Sequence, residues 1–182
     1  LAHQGPSVHH LSTNFITGVC AAVEVVLPDI TTKIKIYHMV TAFAKPKGDN
    51  VTCPRDNIIG AAYVDTLKGE DNVGLATALL SYSWGYNIQD VVDALSDWTE
   101  VQCRDPKRTY IWICSLCLNQ HRMVAALSPE QLQQEFGDRV KLIGRVLPML
   151  DQWEDPGYIK RAWCLFELYT AIRMSSVDLD II

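Results

Sequence analysis

The chain has 182 residues, of which 48% are hydrophobic and 20% charged, proportions that suit one folded domain with or without an extension and exclude general disorder. Sixteen Lys and Arg against 21 Asp and Glu give a formal net charge of −5, and the basic residues are scattered along the chain. That distribution excludes the clustered basic footprint of a nucleic-acid-binding module and the polybasic segment of a membrane-surface protein.

Residues 1–74 read as an extension without an assigned role. Ser12 fits the N-cap of a helix that runs to Val26 and is ended by Pro28, and residues 33–40 alternate well enough for a strand. Residues 45–56, with Pro46, Gly48, Asp49, Asn50 and Pro54, have the composition of a loop. From residue 75 the punctuation becomes regular. Residues 76–82 are a short apolar run that stops at Ser83-Trp84-Gly85, as a buried strand does. Asn87 then fits an N-cap, and Ile88, Val91, Val92, Leu95 and Trp98 form one apolar stripe at helical spacing.

Residues 109–114 give a second strand, and Ser128-Pro129-Glu130-Gln131 starts a helix reaching Ile143. Residues 145–150 give a third strand, in which Pro148 is awkward for a central position. Pro156-Gly157 opens a helix over 158–173, and residues 177–182 give a fourth strand. Strands separated by helices imply right-handed crossovers and a parallel sheet covered on both faces, with ligands expected after Tyr82, Cys114 and Leu150. No run approaches the roughly 18 apolar residues of a spanning helix, so a soluble chain is expected. It starts at Leu1 and stops at Ile182 within an apolar run, which reads as part of a longer protein. The six cysteines are too irregularly spaced for a disulfide framework; reduced thiols and an intracellular setting are expected.

Three constellations can carry chemistry. Ser81-Tyr82-Ser83-Trp84-Gly85-Tyr86-Asn87 joins a strand end to a helix N-terminus, where free amides and the helix dipole can seat phosphate. Trp84 and Tyr86 can present ring faces to a base or a nicotinamide, or can simply pack the turn against the sheet. Glu167 is the only charge in Trp163-Cys164-Leu165-Phe166-Glu167-Leu168-Tyr169, and its helical neighbours Trp163, Cys164, Thr170 and Ala171 include no cation. Such a carboxyl suits an acid, a base or a grip on sugar hydroxyls; the alternatives are a solvated edge or a pair with Lys160 or a cation from another segment. Cys114-x-x-Cys117, with His121 beyond it, lacks the second ligand pair of a structural zinc site, so no metal site is assigned. Asn119, Gln120, His121 and Arg122 make a polar loop that can reach a diphosphate or cap its own turn. Serine-triad, zincin, P-loop and dinucleotide-fold signatures are missing.

The segments LLSYSWGYNIQDVV, YIWICSLCLNQ and RAWCLFEL, in this order, resemble a Toll/interleukin-1 receptor (TIR)-like domain over residues 75–182, in particular an uncharacterised algal and microbial branch. The resemblance implies a flavodoxin-like three-layer sandwich. It also implies cleavage of NAD+ between ribose and nicotinamide, with Glu167 matching the catalytic glutamate and Trp163 and Cys164 the pair before it. Ser81, Tyr82, Ser83, Trp84 and Tyr86 match the loop that closes over the dinucleotide, and Trp163 joins them as a candidate contact. NAD+ is then a substrate, and no tightly held cofactor is expected. Self-association or docking to other protein subunits is the partner expectation, with no nucleic acid and no membrane insertion. Cys114 stands where related sequences carry an Asp, and the loop after it does not resemble the glycine-containing BB loop. A non-catalytic interaction domain and a nucleotide sensor are the other readings.

Overall fold

The computed structural model describes residues 3–30, 33–122, 129–151 and 154–182. Strand β1 (Gln4–Pro6) runs into Ser7, whose hydroxyl accepts the His10 backbone N–H at 3.0 Å and so caps the first helix. From that cap, α1 (Val8–His10) continues through a π-helical turn at Leu11–Phe15 into α2 (Ile16–Val26). Ser12 is therefore inside the helix rather than at its start, and its hydroxyl donates back to the His9 carbonyl. Residues 33–40 form no strand. Helix α3 (Ile36–Met39) lies there and passes through a π-helical turn at Val40–Ala44 into α4 (Lys45–Gly48), which takes the first part of the expected loop. Ile36, Met39 and Val40 are the buried members of that stretch, at the i, i+3, i+4 spacing of one helical face.

Strand β2 (Val73–Leu75) pairs antiparallel with β1. The regular portion follows in chain order: β3 (Ala78–Ser81), α5 (Ile88–Val101), β4 (Ile111–Trp112), α6 (Cys114–Cys117), α7 (Pro129–Ile143), β5 (Arg145–Pro148), α8 (Ala162–Ile172) and β6 (Asp178–Leu179). The expected strands are present and shorter. The second ends before Cys114, which opens α6, and the last expected helix is split into a 3₁₀ turn at Gly157–Lys160 and α8. Asn87 is the N-cap residue of α5, and the whole stripe Ile88, Val91, Val92, Leu95, Trp98 is buried. The Ser128 cap expected for α7 lies outside the described residues.

Four strands make one parallel sheet in the order β4-β3-β5-β6. The first crossover carries the chain to one side of β3 and the next two to the other side. Right-handed connections therefore put α5 on one face and α7 and α8 on the opposite face. α1 and α2 pack beside α5, while α7 and α8 touch one another and the strands. The result is the flavodoxin-like three-layer α/β arrangement. Pro148 is tolerated in a central strand because it is the last residue of β5, opposite Ser81, and the ladder resumes with Met149 N–H donating to the Ser81 carbonyl at 2.9 Å.

Residues 4–74 share the hydrophobic core of the sheet: Val8, Leu11, Phe15, Ile36, Phe43 and Tyr63 belong to the same buried cluster as Leu79, Ile111 and Leu147. Beyond β1 the chain bridges the outer margin of β4, with Val8 N–H donating to the Thr109 carbonyl at 2.9 Å. The approach is close enough that a Cβ on Gly5 would stand 2.3 Å from the Ile111 carbonyl oxygen. Gly5→Ala is expected to cost about 1–3 kcal/mol of stability through this overpacking, read as a lowered urea midpoint. An unchanged midpoint would show that β1 does not press on β4.

Candidate functional site

In a doubly wound sheet the crevice for a ligand opens where the strand order reverses, outside the carboxyl ends of the strands. Here that point lies between the ends of β3 and β5, at the paired residues Ser81 and Pro148. Glu167 arrives there from α8. Its side chain is 4% exposed, and its carboxyl is hydrogen-bonded to the Ser81 hydroxyl, itself fully buried. The Ser81 hydroxyl lies 2.6 Å from the hydroxyl of Tyr158, a residue of the 3₁₀ turn, and Tyr158 donates to the Cys164 carbonyl at 3.0 Å. Trp163 completes the surroundings with a side-chain hydrogen bond to the carboxyl of Glu167.

A second polar group adjoins the first. Tyr82, next to Ser81 in sequence, donates to the Ser115 hydroxyl at 2.7 Å, and its hydroxyl lies 3.3 Å from the Cys114 sulfur. The Cys164 thiol donates to the Tyr82 carbonyl at 3.4 Å, and Trp84 hydrogen-bonds the Cys114 thiol. Burial pushes the Cys114 and Cys164 thiols up to about 11 and Cys117 to about 12, so all three stay protonated at neutral pH. They are poor nucleophiles and poor zinc ligands in that state. Among the described residues no group of three or more His, Cys, Asp or Glu is arranged to hold a metal ion.

No ion pair among the described residues includes Glu167, and Lys160 is paired with Asp155 instead. Desolvation is the largest influence on the carboxyl and raises it to about 7, against the lowering effect of the Ser81 and Trp163 hydrogen bonds. The charge isolation seen in the helix sequence is therefore also present in three dimensions.

The other candidate contacts divide into two sets. Trp84 is half-buried and Trp163 is 41% exposed, so both indoles combine an open part with a bond into the polar cluster. Ser81, Tyr82, Ser83 and Tyr86 are buried. Tyr86 donates its hydroxyl to the Met149 carbonyl at 3.2 Å, and its ring belongs to the core, so it offers no free face to a ligand. Three amides of the turn and the helix start are occupied as well. Gly85 and Tyr86 N–H donate to the hydroxyl and carbonyl of Ser83, and Ile88 N–H donates to the Ile34 carbonyl. The phosphate seat expected of this turn is thus filled in part from within the chain.

The polar loop after α6 caps a neighbouring turn. Arg122 makes a two-point contact with Asp56 at 2.8 and 2.9 Å and also donates to the carbonyls of Ile58, Ile59 and Gly60, while Asn119 donates to the Gly60 carbonyl. Tyr158 and Ser115 are the members of the cluster that sequence reasoning missed. Tyr158 follows Pro156-Gly157, a signal for a break before the helix, but nothing in its spacing from Glu167 marks their meeting across Ser81. In comparisons with known proteins, no family model, no curated protein and no solved structure matches this chain.

The raised carboxyl has a thermodynamic signature. In the unfolded chain Glu167 ionises near its ordinary value of 4.5, while in the folded protein it holds its proton up to about 7. Between those values the folded state binds more protons than the unfolded state, so stability falls as pH rises through the window. The full contribution is present below about 4.5, and about 3 kcal/mol of it is lost by pH 7. Glu167→Gln is expected to flatten this part of the urea-stability profile between pH 4.5 and 7. A wild-type and a variant profile that run parallel would place the carboxyl in a solvated setting.

Proposed function

We propose that the chain is a TIR-like NAD+ glycohydrolase or cyclase in which Glu167 is the catalytic carboxylate. The observation that carries the proposal is a cation-free, buried carboxyl at the reversal point of a flavodoxin-like sheet, with the partly open Trp163 beside it and the half-buried Trp84 beside neighbouring Cys114. That is the position where this class of fold binds ligands. The resemblance of the Trp163-to-Leu168 segment to the TIR motif supplies the substrate.

In this reaction the bond between the ribose C1′ and the nicotinamide nitrogen breaks, its electron pair leaves with nicotinamide, and the ribose becomes oxocarbenium-like. Ionised Glu167 stabilises the positive charge and accepts from ribose hydroxyls, taking over the place of the Trp163 N–H. Water then adds at C1′ and loses a proton, giving ADP-ribose; attack by a nitrogen of the adenine ring gives the cyclic product instead. Trp84 and Trp163 provide the ring surfaces for nicotinamide or adenine.

The test is release of nicotinamide from NAD+ by the concentrated protein, followed by chromatography. Glu167→Gln should lower the rate by about 100-fold or more while leaving the circular dichroism spectrum unchanged. Equal nicotinamide in wild type, variant and buffer removes the enzymatic reading.

A second reading rests on the outer face of α8. Leu165, Tyr169 and Ile172, at helical spacing, are 44%, 55% and 67% exposed, an apolar stripe on the same helix that buries Glu167. We infer self-association of a TIR-like interaction domain through this face, with a second copy presenting the same stripe. Sedimentation should show a dimer whose population rises with concentration, and Leu165→Glu combined with Ile172→Glu should hold the chain as a monomer. A wild type that stays monomeric up to millimolar concentration rules the reading out.

A further inference from the structure

We propose that Glu167 heads a chain of hydroxyl groups that acts as a proton-operated latch: the neutral carboxyl locks Tyr158 onto the first turn of α8, and ionisation releases it. Ser81 and Tyr158 are then positioning residues for the carboxyl. The argument is a count of hydrogens. Three contacts join four oxygen atoms in series, from Glu167 to Ser81, from Ser81 to Tyr158 and from Tyr158 to the Cys164 carbonyl. Each contact needs one hydrogen between its oxygens, because two facing lone pairs repel at such separations. Ser81 and Tyr158 carry one hydroxyl hydrogen each, and the Cys164 carbonyl carries none. The third hydrogen must come from the carboxyl.

The direction of every bond follows. With the carboxyl neutral, Glu167 donates across the contact in which a carboxylate would accept from Ser81, Ser81 donates to Tyr158, and Tyr158 donates to the Cys164 carbonyl at 3.0 Å. Removing the proton from Glu167 reverses the chain. A carboxylate can only accept, so Ser81 turns its hydrogen toward Glu167, Tyr158 turns its own toward Ser81, and the Cys164 carbonyl loses its side-chain donor. The 3₁₀ turn Gly157–Lys160 is thereby uncoupled from the start of α8 at this contact. Both states satisfy the two hydroxyl groups, and only the neutral one ties the turn to the helix.

The groups facing the chain leave its direction to Glu167. From β3 comes Ser81, from the turn after it Tyr82 and Tyr86, from α6 Cys114, from α8 Cys164 and Trp163, and from the 3₁₀ turn Tyr158. Arg161, just before α8, acts on Cys164, and Arg139, on α7, acts on Cys117. Tyrosine and thiol groups in this setting titrate well above neutrality, so the carboxyl is the member whose proton leaves near physiological pH. The link to turnover rests on the proposed NAD+ chemistry: the carboxylate needed for catalysis appears as the latch opens, and nicotinamide release would rise with pH through the same midpoint.

The test reads the latch without substrate. In the whole chain labelled with ¹³C at glutamate Cδ and cysteine carbonyl positions, the Glu167 resonance, assigned from Glu167→Gln, should titrate near pH 7. The Cys164 carbonyl should move with the same midpoint, because it loses the Tyr158 hydroxyl in the same event. Tyr158→Phe removes the acceptor that keeps the Ser81 hydrogen away from Glu167, so the midpoint should fall by roughly one pH unit. Loss of a polar neighbour acting only through burial would raise it. A Glu167 midpoint in the ordinary carboxylate range, a Cys164 carbonyl that does not follow Glu167, or a Tyr158→Phe midpoint that stays or rises overturns the latch. If Tyr158→Phe does not fold, the two wild-type resonances decide. Absence of nicotinamide release with an intact titration would sink the enzymatic reading and leave the latch standing.

Discussion

A carboxyl group taken out of water without a cation has to be satisfied by neutral donors and acceptors, and much of the arrangement around α8 follows from that requirement at Glu167. Ser81 must be the last residue of β3 for its hydroxyl to meet the helix, and Tyr158 must break from the helix into a 3₁₀ turn to reach Ser81 from the other side. Trp163, one turn before Glu167, adds its bond from a side chain that is still partly open. A nonpolar residue in place of Glu167 would leave the Ser81 oxygen without the donor that the neutral carboxyl supplies.

The same helix divides its roles by face. Cys164, Glu167 and Ala171 are buried, at spacings of three and four residues, and pack toward the sheet, while Leu165, Tyr169 and Ile172 face outward. Between the two faces, Trp163 and Phe166 join Phe136 of α7 in a cluster of tilted and edge-on rings. An apolar helix with one buried acid is thus explained by two different neighbours, the polar end of the sheet inside and the aromatic contact with α7 alongside.

The second half of the chain is largely legible as sequence because its signals are long and redundant. The α5 stripe covers about three turns, and strands punctuated by helices leave little choice of topology. Glu167 was equally visible, since a single charge in an apolar helix stands out whatever surrounds it. The first half carries weaker local signals for a physical reason. Over residues 33–40, Ile36, Met39 and Val40 satisfy a helical face, yet the flanking Ile34 and His38 also complete an alternating pattern, and a stretch this short cannot separate the two periods. At the amino terminus, Ser7 and Ser12 are both acceptable caps locally, and the choice is made by the bridge to Tyr110, more than 100 residues away in sequence. The occupied amides of the turn after β3 and the meeting of Tyr158 with Ser81 are likewise products of tertiary contact, which local patterns do not encode.

The covering of one margin of the sheet has a consequence for growth. β4 has β3 on one side, and on the other the amino-terminal segment bridges Tyr110 and brings Gly5 against Ile111, so that margin is covered. At the opposite margin β6 is joined to β5 alone among the described residues. Any strand that lengthens this layer, from the same polypeptide or from another molecule, therefore has one docking rail and one direction, which makes the sheet extensible by increments at one end while the other stays closed.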